Sequence, residues 1–269
     1  MPNLEGKVVL ITGGSSGIGK AVALRLAARN CKLVLAARQE APLREAADEV
    51  KAAGASAMAV PADVSAVDQC QKLIQAAVET FGRLDVLICS AGISMRSYFA
   101  ASDLAAMERV FKVNFFGTLY ATYFAIPHVE KSRGSLVAIS SLTGRRGIPS
   151  YGIYGASKFA IEGLYESLRL ELGRKGVHVG VVSPGFLDTP LRERVLGPDG
   201  KIWPDPPPPP FRISPPRTTG DFRSEIQARV ANFRKHQERF EREREEYCAA
   251  TLARLREVIR APSPPRKEQ

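Results

Sequence analysis

Residues Lys7 to Ile11 (KVVLI) form a short, unbroken apolar run rich in β-branched side chains. The glycine-dense stretch Thr12 to Gly19 (TGGSSGIG) separates it from a helical pattern, KAVALRLAARN. An apolar run without polar alternation suits a strand covered on both faces, as in a parallel sheet with helices on each side. Strand, glycine-rich turn and helix is also the arrangement in which main-chain N–H groups and a helix N-terminus hold a pyrophosphate. Glycine is needed there so that the backbone can approach the phosphates and the helix can pack closely on the strand.

The same alternation continues along the chain. A strand over Lys32–Ala36 ends in Ala37-Arg38, where a carboxylate would accept hydrogen bonds from an adenosine ribose. None is present. The Arg38 guanidinium suits a 2′-phosphate instead, so NADP is the expected dinucleotide, against the plainer reading of a solvated surface arginine. A helix over Pro42–Ala53 is predicted with the proline at its first position. A strand over Ser56–Val60 leads to Asp63-Val64, where a carboxylate can meet an adenine edge.

Ala66–Phe81 reads as a helix and Asp85–Ile88 as a strand. The turn Cys89-Ser90-Ala91-Gly92 follows, its small residues suited to a backbone packed on a cofactor. Helical periodicity from Asp103 to His128 carries Asn114 among Phe111, Val113, Phe115 and Phe116. A buried asparagine needs partners, in the core or in a site. The sixth strand, Val177–Val182, ends in Ser183-Pro184-Gly185-Phe186-Leu187-Asp188-Thr189-Pro190. Six strands with intervening helices predict an α/β doubly wound, Rossmann-like parallel sheet with helices on both faces and ligands at the carboxyl ends of the strands.

The chemistry-bearing stretch is Ser135 to Lys158, SLVAISSLTGRRGIPSYGIYGASK: a strand ending in two serines, a basic loop, and a helix running to about Arg174. Tyr154 and Lys158, four apart, share a helix face. An ammonium there is expected to lower the phenol's pKa by roughly 3 units, about 4 kcal/mol of differential stabilisation, so that Tyr154 trades a proton near neutral pH. The Ser141 hydroxyl can hold the same substrate oxygen. Only one of Ser140 and Ser141 should face the cleft, because strand side chains alternate. Tyr151 has Gly155, not a lysine, four residues on.

With 269 residues, 45% of them hydrophobic and 25% charged, the chain has the composition of an ordinary globular protein. No segment reaches eighteen apolar residues and the first residues, MPNLEGK, have no apolar core, so neither a signal peptide nor a transmembrane segment is expected. Cys31, Cys70, Cys89 and Cys248 are scattered without metal-ligand spacing; free thiols in a cytoplasmic setting are expected, and no metal site. The net charge of +10 is spread out, and between Asp221 and Tyr247 seven acids offset seven basic residues. No basic stripe interleaved with aromatics marks a nucleic-acid surface; anionic small molecules are the better match.

These residues resemble the short-chain dehydrogenase/reductase family, over roughly Gly6 to Thr189. The resemblance rests on TGGSSGIG, Ala91-Gly92, VNFFG around Asn114, Ser141 thirteen residues before Tyr154, YGASK, and PGFLDT from Pro184. It implies that Tyr154 is the general acid and base, that Lys158 lowers its pKa and binds the nicotinamide ribose, that Ser141 orients a carbonyl and that Asn114 holds a water in the proton relay. Thr12, Gly13, Ser15, Ser16, Gly17, Ile18 and Gly19 would line the pyrophosphate, Arg38 the 2′-phosphate, and Asp63 and Val64 the adenine. Ala91 and Gly92 would back the cofactor, and Pro184, Gly185, Phe186 and Thr189 would fix the nicotinamide.

The expected domains are 1–190 for NADP binding and catalysis, 191–220 as a proline-rich lid or linker, 221–260 as a long charged helix and 261–269 as a disordered tail. Trp203, Phe211 and Ile213 are candidate lid contacts, and Glu257–Ala261 a possible seventh strand. The expected activity is NADP(H)-dependent interconversion of a ketone and a secondary alcohol, with an apolar or lipid-like substrate argued from Tyr98, Phe99 and Phe186, in a homodimer. A 3-oxoacyl thioester reductase using a patch of Lys131, Arg133, Arg174 and Lys175 is the alternative, and a non-catalytic cofactor-binding scaffold the alternative of another class.

Overall fold

The computed structural model describes residues 4–203, together with Gln227 and Arg242, which are both helical. The chain divides into two units, residues 1–210 and 211–269; the fold below is that of the first. Its strands are β1 (Val8–Thr12), β2 (Lys32–Ala37), β3 (Ser56–Pro61), β4 (Val86–Cys89), β5 (Ser135–Ile139) and β6 (His178–Val182). Its helices are α1 (Gly17–Ala27), α2 (Glu40–Ala52), α3 (Val67–Phe81), α4 (Leu104–Phe111), α5 (Gly117–Ser132) and α6 (Gly152–Gly173).

All five neighbouring pairs are parallel, in the order β3-β2-β1-β4-β5-β6. This is the doubly wound arrangement, in which the strand order reverses between β1 and β4 and leaves a crevice at their carboxyl ends. Both faces are covered because strand side chains alternate. Val8 and Leu10 pack with Leu73, Ala121, Ile161 and Tyr165 from α3, α5 and α6, whereas Val9 and Ile11 pack with Ala23, Leu43 and Val50 from α1 and α2.

At the amino edge of the sheet the Asp85 carboxylate accepts from the Val8 N–H at 3.0 Å, Lys7 at 3.1 Å and Arg83 at 2.6 and 2.8 Å. Burial pushes its pKa up, but these bonds outweigh that and hold it below the usual carboxylate value. The carboxyl edge is thereby left for the site.

Two elements differ from their sequence signals. Pro42 is the third residue of α2, not the first. It is tolerated because every N–H of the first turn lacks an intrahelical acceptor. The helix expected over Asp103–His128 is broken by a π turn, Lys112–Phe116, and runs on to Ser132. The break sits on Asn114.

Beyond β6 the chain stays on this body as far as Trp203. Leu196 pairs with Met95 and Ile202, packs with Ala106 and Val110, and accepts from the Arg96 N–H at 2.9 Å; Trp203 N–H donates to Val195 at 2.8 Å. The proline run 206–210, Phe211, Ile213, Cys248, the 221–260 helix as a whole and the Glu257–Ala261 strand lie outside the described residues.

Candidate active site

The site is built at the carboxyl ends of β1, β4, β5 and β6. Ser140 and Ser141 directly follow β5 and divide as strand alternation requires: Ser140 is buried and donates to the Lys158 carbonyl at 3.4 Å, while Ser141 is half-buried and accepts from the Thr143 N–H at 3.2 Å. The Ser141 hydroxyl neighbours the Tyr154 phenol and acts to lower its pKa. Tyr154 is buried, with the ring of Tyr151 edge-on at 6.3 Å between centroids, and Phe186 lies edge-on to Tyr151 at 6.4 Å.

Lys158 is buried one turn along α6, beneath the face of the Tyr154 ring. Its ammonium donates to the Ile139 carbonyl at 2.8 Å. Loss of hydration brings its pKa down to about 8, with Cys89 acting weakly the other way. The Tyr154 phenol does not follow the sequence expectation. Burial pushes its pKa above the usual tyrosine value, the neighbouring Ser141 hydroxyl only partly offsets this, and Tyr151 adds to the rise. The reason is geometric: Lys158 faces the ring and spends its hydrogen bond on a backbone oxygen rather than on the phenol.

Asn114 is fully buried. Its Nδ2 donates to the Ile93 carbonyl and to Ser157 Oγ, both at 3.0 Å, and its Oδ1 accepts from the Ile93 N–H at 2.8 Å. The side chain therefore locks the turn after β4 onto α6, and its own carbonyl accepts from Thr118 at 2.8 Å. A Cβ on Gly92 would come within 3.2 Å of Asn114 Oδ1 and 3.7 Å of Lys158 Nζ, so the turn at Ala91-Gly92 passes directly beside both.

The glycine-rich turn fits a dinucleotide. Gly13 and Gly17 adopt φ of +69° and +53°, and a Cβ on Gly19 would stand 2.3 Å from the Gly13 carbonyl oxygen, so α1 packs against the turn only with glycine there. Ser16 precedes α1 without capping it, which leaves the first-turn N–H groups of Gly17, Ile18 and Gly19 for an anion. The Thr12 hydroxyl is engaged, accepting from the N–H groups of Ser90 and Ala91 at 3.2 and 3.3 Å; it ties β1 to the β4 turn. Ser15 lies within the same turn. Arg38 is exposed just past β2. Asp63 Oδ1 accepts from the N–H and hydroxyl of Ser65 at 2.9 and 2.7 Å, shaping the turn that carries the buried Val64.

The stretch Pro184-Gly185-Phe186 to Thr189 returns over the site. Phe186 packs on the Tyr151–Tyr154 cluster and a Cβ on Gly17 would touch Thr189 at 3.6 Å, so this loop spans from the tyrosines to the phosphate turn. By contrast, Lys131, Arg133, Arg174 and Lys175 lie at the amino edge, around the starts of β5 and β6, with Lys175 paired to Glu130 at 2.7 Å. A five-residue strand is about 16 Å long, so that patch is a strand's length from Tyr154.

Sequence patterns left several participants unmarked. Tyr151, set aside in the sequence for lacking a lysine four residues on, stands just before α6 and edge-on to Tyr154. Ile139, acting through its carbonyl, and Ser157 had no signal. Among the described residues no three His, Cys, Asp or Glu side chains are grouped to hold a metal ion, and no helix is long and apolar enough to cross a membrane. Cys31, Cys70 and Cys89 are buried free thiols.

Residues 7–197 match the short chain dehydrogenase family, and the chain belongs to it. It is similar to 11-beta-hydroxysteroid dehydrogenase-like 4A of Arabidopsis thaliana, at 41% identity over 187 residues, 69% of this chain and 62% of that protein. It is similar also to 11-beta-hydroxysteroid dehydrogenase A of Arachis hypogaea, at 38% identity over 203 residues, 74% and 58% of the two chains. The chain thus spans about three fifths of the length of these curated relatives. Among solved structures, a short chain dehydrogenase/reductase from Burkholderia phymatum in complex with NAD superposes with a TM-score of 0.70 at 34% identity, covering 72% of this chain and 70% of that one.

Proposed function

We propose that the chain transfers a hydride between NADP(H) and a ketone or secondary alcohol of apolar, lipid-like character. The observation that carries this is the placement of Ser141 and the buried Tyr154 side by side at the carboxyl edge of the sheet, with the buried Lys158 ammonium 5.8 Å from the Tyr154 ring centroid. The dinucleotide supplies the hydride chemistry when bound. Gly13, Ser15, Ser16, Gly17, Ile18 and Gly19 would hold its pyrophosphate, Arg38 a 2′-phosphate, Asp63 and Val64 the adenine, and Lys158 the nicotinamide ribose. Ala91, Gly92 and the 184–189 loop would confine the nicotinamide.

The protein's own step is proton delivery. In reduction Tyr154 gives its phenolic proton to the substrate oxygen, and Ser141 holds that oxygen by its hydroxyl. In the folded site the phenol is pushed up, so it is fully protonated at neutral pH and ready as an acid. For oxidation the phenolate must be stabilised, and Lys158 performs that role once its ammonium turns from Ile139 towards the reacting centre. Asn114 holds the turn beside Lys158 in place and would hold a water of the proton relay.

An apolar substrate is supported by Phe186 and Tyr151 beside Tyr154, and by the exposed Tyr98 and Phe99, which follow Ser97, whose N–H donates to Ser150 next to Tyr151 at 2.8 Å. Relatives named as hydroxysteroid dehydrogenases act, by those names, on molecules of that kind. Preference for NADP rests on Arg38. A homodimer is in keeping with the open groove of about 490 Å³ lined by Leu104, Met107, Phe111, Phe116, Tyr120 and Ile153. The test is oxidation of NADPH and of NADH by the purified chain across steroid ketones, aliphatic ketones, sphingoid ketones and 3-oxoacyl thioesters. Turnover of steroid or lipid ketones with NADPH is expected; turnover confined to acyl thioesters would contradict it.

A further inference from the structure

The mechanism leaves the half-buried carboxylate of Glu162 without a task. Glu162 lies on α6, four residues past Lys158 and eight past Tyr154, on the face that carries both. Its Oε1 accepts from Ser183 Oγ at 2.6 Å and from Arg145 Nε at 3.2 Å, and its Oε2 faces the outer Arg145 nitrogen at 3.1 Å. Arg145 Nε also reaches Ser183 Oγ at 3.3 Å. The three groups form a closed triangle, with the guanidinium presented to the carboxylate in the two-point geometry that fixes orientation as well as distance.

Each corner belongs to a different part of the site. Arg145 ends the short turn Leu142–Gly144 that begins at Ser141. Ser183 is the residue before Pro184 and the loop that packs Phe186 on the tyrosine cluster. Main-chain bonds run alongside, from Ser140 N–H to Val182 at 2.8 Å and from Leu142 N–H to Pro184 at 2.9 Å, but they join only β5 to β6. Lys158 and Ser140 tie the end of β5 to α6, and Arg169 Nε donates to Val179 of β6 at 2.9 Å, but Glu162 reaches both the Ser141 turn and the loop after β6 from α6. Arg145 is half-exposed, and an exposed ion pair contributes about 0–1 kcal/mol, so stability alone gives this triangle little purpose.

We propose that Glu162 is a positioning residue that clasps the Ser141 turn and the 183–189 loop onto α6, and so sets where the nicotinamide end of the cofactor is held. This rests on the nicotinamide reading above. A clasp of this kind acts on the loop over the nicotinamide and not on the glycine turn at the other end of the dinucleotide. It therefore discriminates between ligands that differ only in that ring.

The test is binding to the purified full chain, followed by fluorescence or calorimetry, of two ligand pairs: NADPH with 2′-phospho-ADP-ribose, and NADH with ADP-ribose. The second member of each pair lacks the nicotinamide. The variants are Glu162→Gln, Ser183→Ala and the double change; Ser183→Ala removes a single oxygen and keeps the question answerable if Glu162→Gln folds poorly. Each single change is expected to weaken the nicotinamide-bearing ligand about fivefold or more (roughly 1 kcal/mol) and to leave its partner within about twofold. The double variant is expected to be no worse than the weaker single, because both remove the same contact. Equal weakening of both members of a pair, no weakening of either, or multiplying effects in the double variant would overturn the clasp. A wild-type chain that binds neither NADPH nor NADH would overturn the nicotinamide reading, and the clasp with it.

Discussion

The Lys158 ammonium lies 5.8 Å from the centroid of the Tyr154 ring, yet its hydrogen bond runs away from the phenol to the Ile139 carbonyl at 2.8 Å. A buried lysine so placed is held at a cost to stability, since its pKa has come down to about 8 from an ordinary value near 10.5. The unfolded chain binds the proton more tightly, so between those values stability rises with pH, and the full penalty is present below about pH 8.

The expected consequence is that Lys158→Met is at least as stable as wild type at pH 7 while its turnover is lost. Stability of wild type minus that of the variant should climb by up to about 1.4 kcal/mol per pH unit above about pH 8. Taking the difference matters. Cys70, pushed by burial to about 12, destabilises both proteins alike as pH rises past 9, whereas Cys89, at about 11, is lowered by Lys158 and so destabilises the variant somewhat more. Urea denaturation at pH 7, 8 and 9 provides the check; a difference that stays flat would count against a buried, desolvated lysine.

Arg38 decides the second prediction. An exchange of Arg38→Glu should raise the KM for NADPH about tenfold or more and lower that for NADH, because the carboxylate repels a 2′-phosphate and accepts from a ribose hydroxyl. Initial rates with both cofactors measure it, and a variant with the same ratio of NADPH to NADH turnover as wild type would return Arg38 to the role of a solvated surface residue.

Two glycines should respond in opposite directions to the same change. Gly19→Ala places a Cβ 2.3 Å from a backbone oxygen that cannot move without unseating α1, and should cost about 3 kcal/mol or more. Gly163→Ala, on the exposed side of α6 with nothing within 4 Å, should instead stabilise by about 0.5–1 kcal/mol. Thermal or urea unfolding of the two variants compares them directly.

Asn114→Leu removes three hydrogen bonds at once and leaves the N–H and C=O of Ile93 without their partner. Each orphaned backbone group costs about 1–3 kcal/mol, so the variant should lose about 2–4 kcal/mol in urea denaturation. A loss below 1 kcal/mol would mean that the turn after β4 is held elsewhere.

The sheet was legible because its strands are continuous apolar runs separated by helical periods, and all six lie within one or two residues of their sequence signals. The glycine turn was legible for the same local reason, as was the division of labour between Ser140 and Ser141. What the sequence did not carry is direction. Four-residue spacing put Lys158 on the face of Tyr154 but could not tell ring from oxygen, and the sign of the phenol's shift turned on that. Asn114 looked equally suited to core or site; the π turn beneath it is a backbone event with no side-chain period to announce it. The Glu162 triangle joins three segments far apart in sequence, so no local pattern points to it.

The central claim is that Tyr154 passes the proton. Tyr154→Phe keeps the ring, its packing on Tyr151 and the site's shape while removing that proton. With NADPH and the best substrate of the panel, kcat should fall by about a thousandfold while the affinity for NADPH stays within about twofold. A variant that turns over within about tenfold of wild type would place the proton elsewhere and contradict the account.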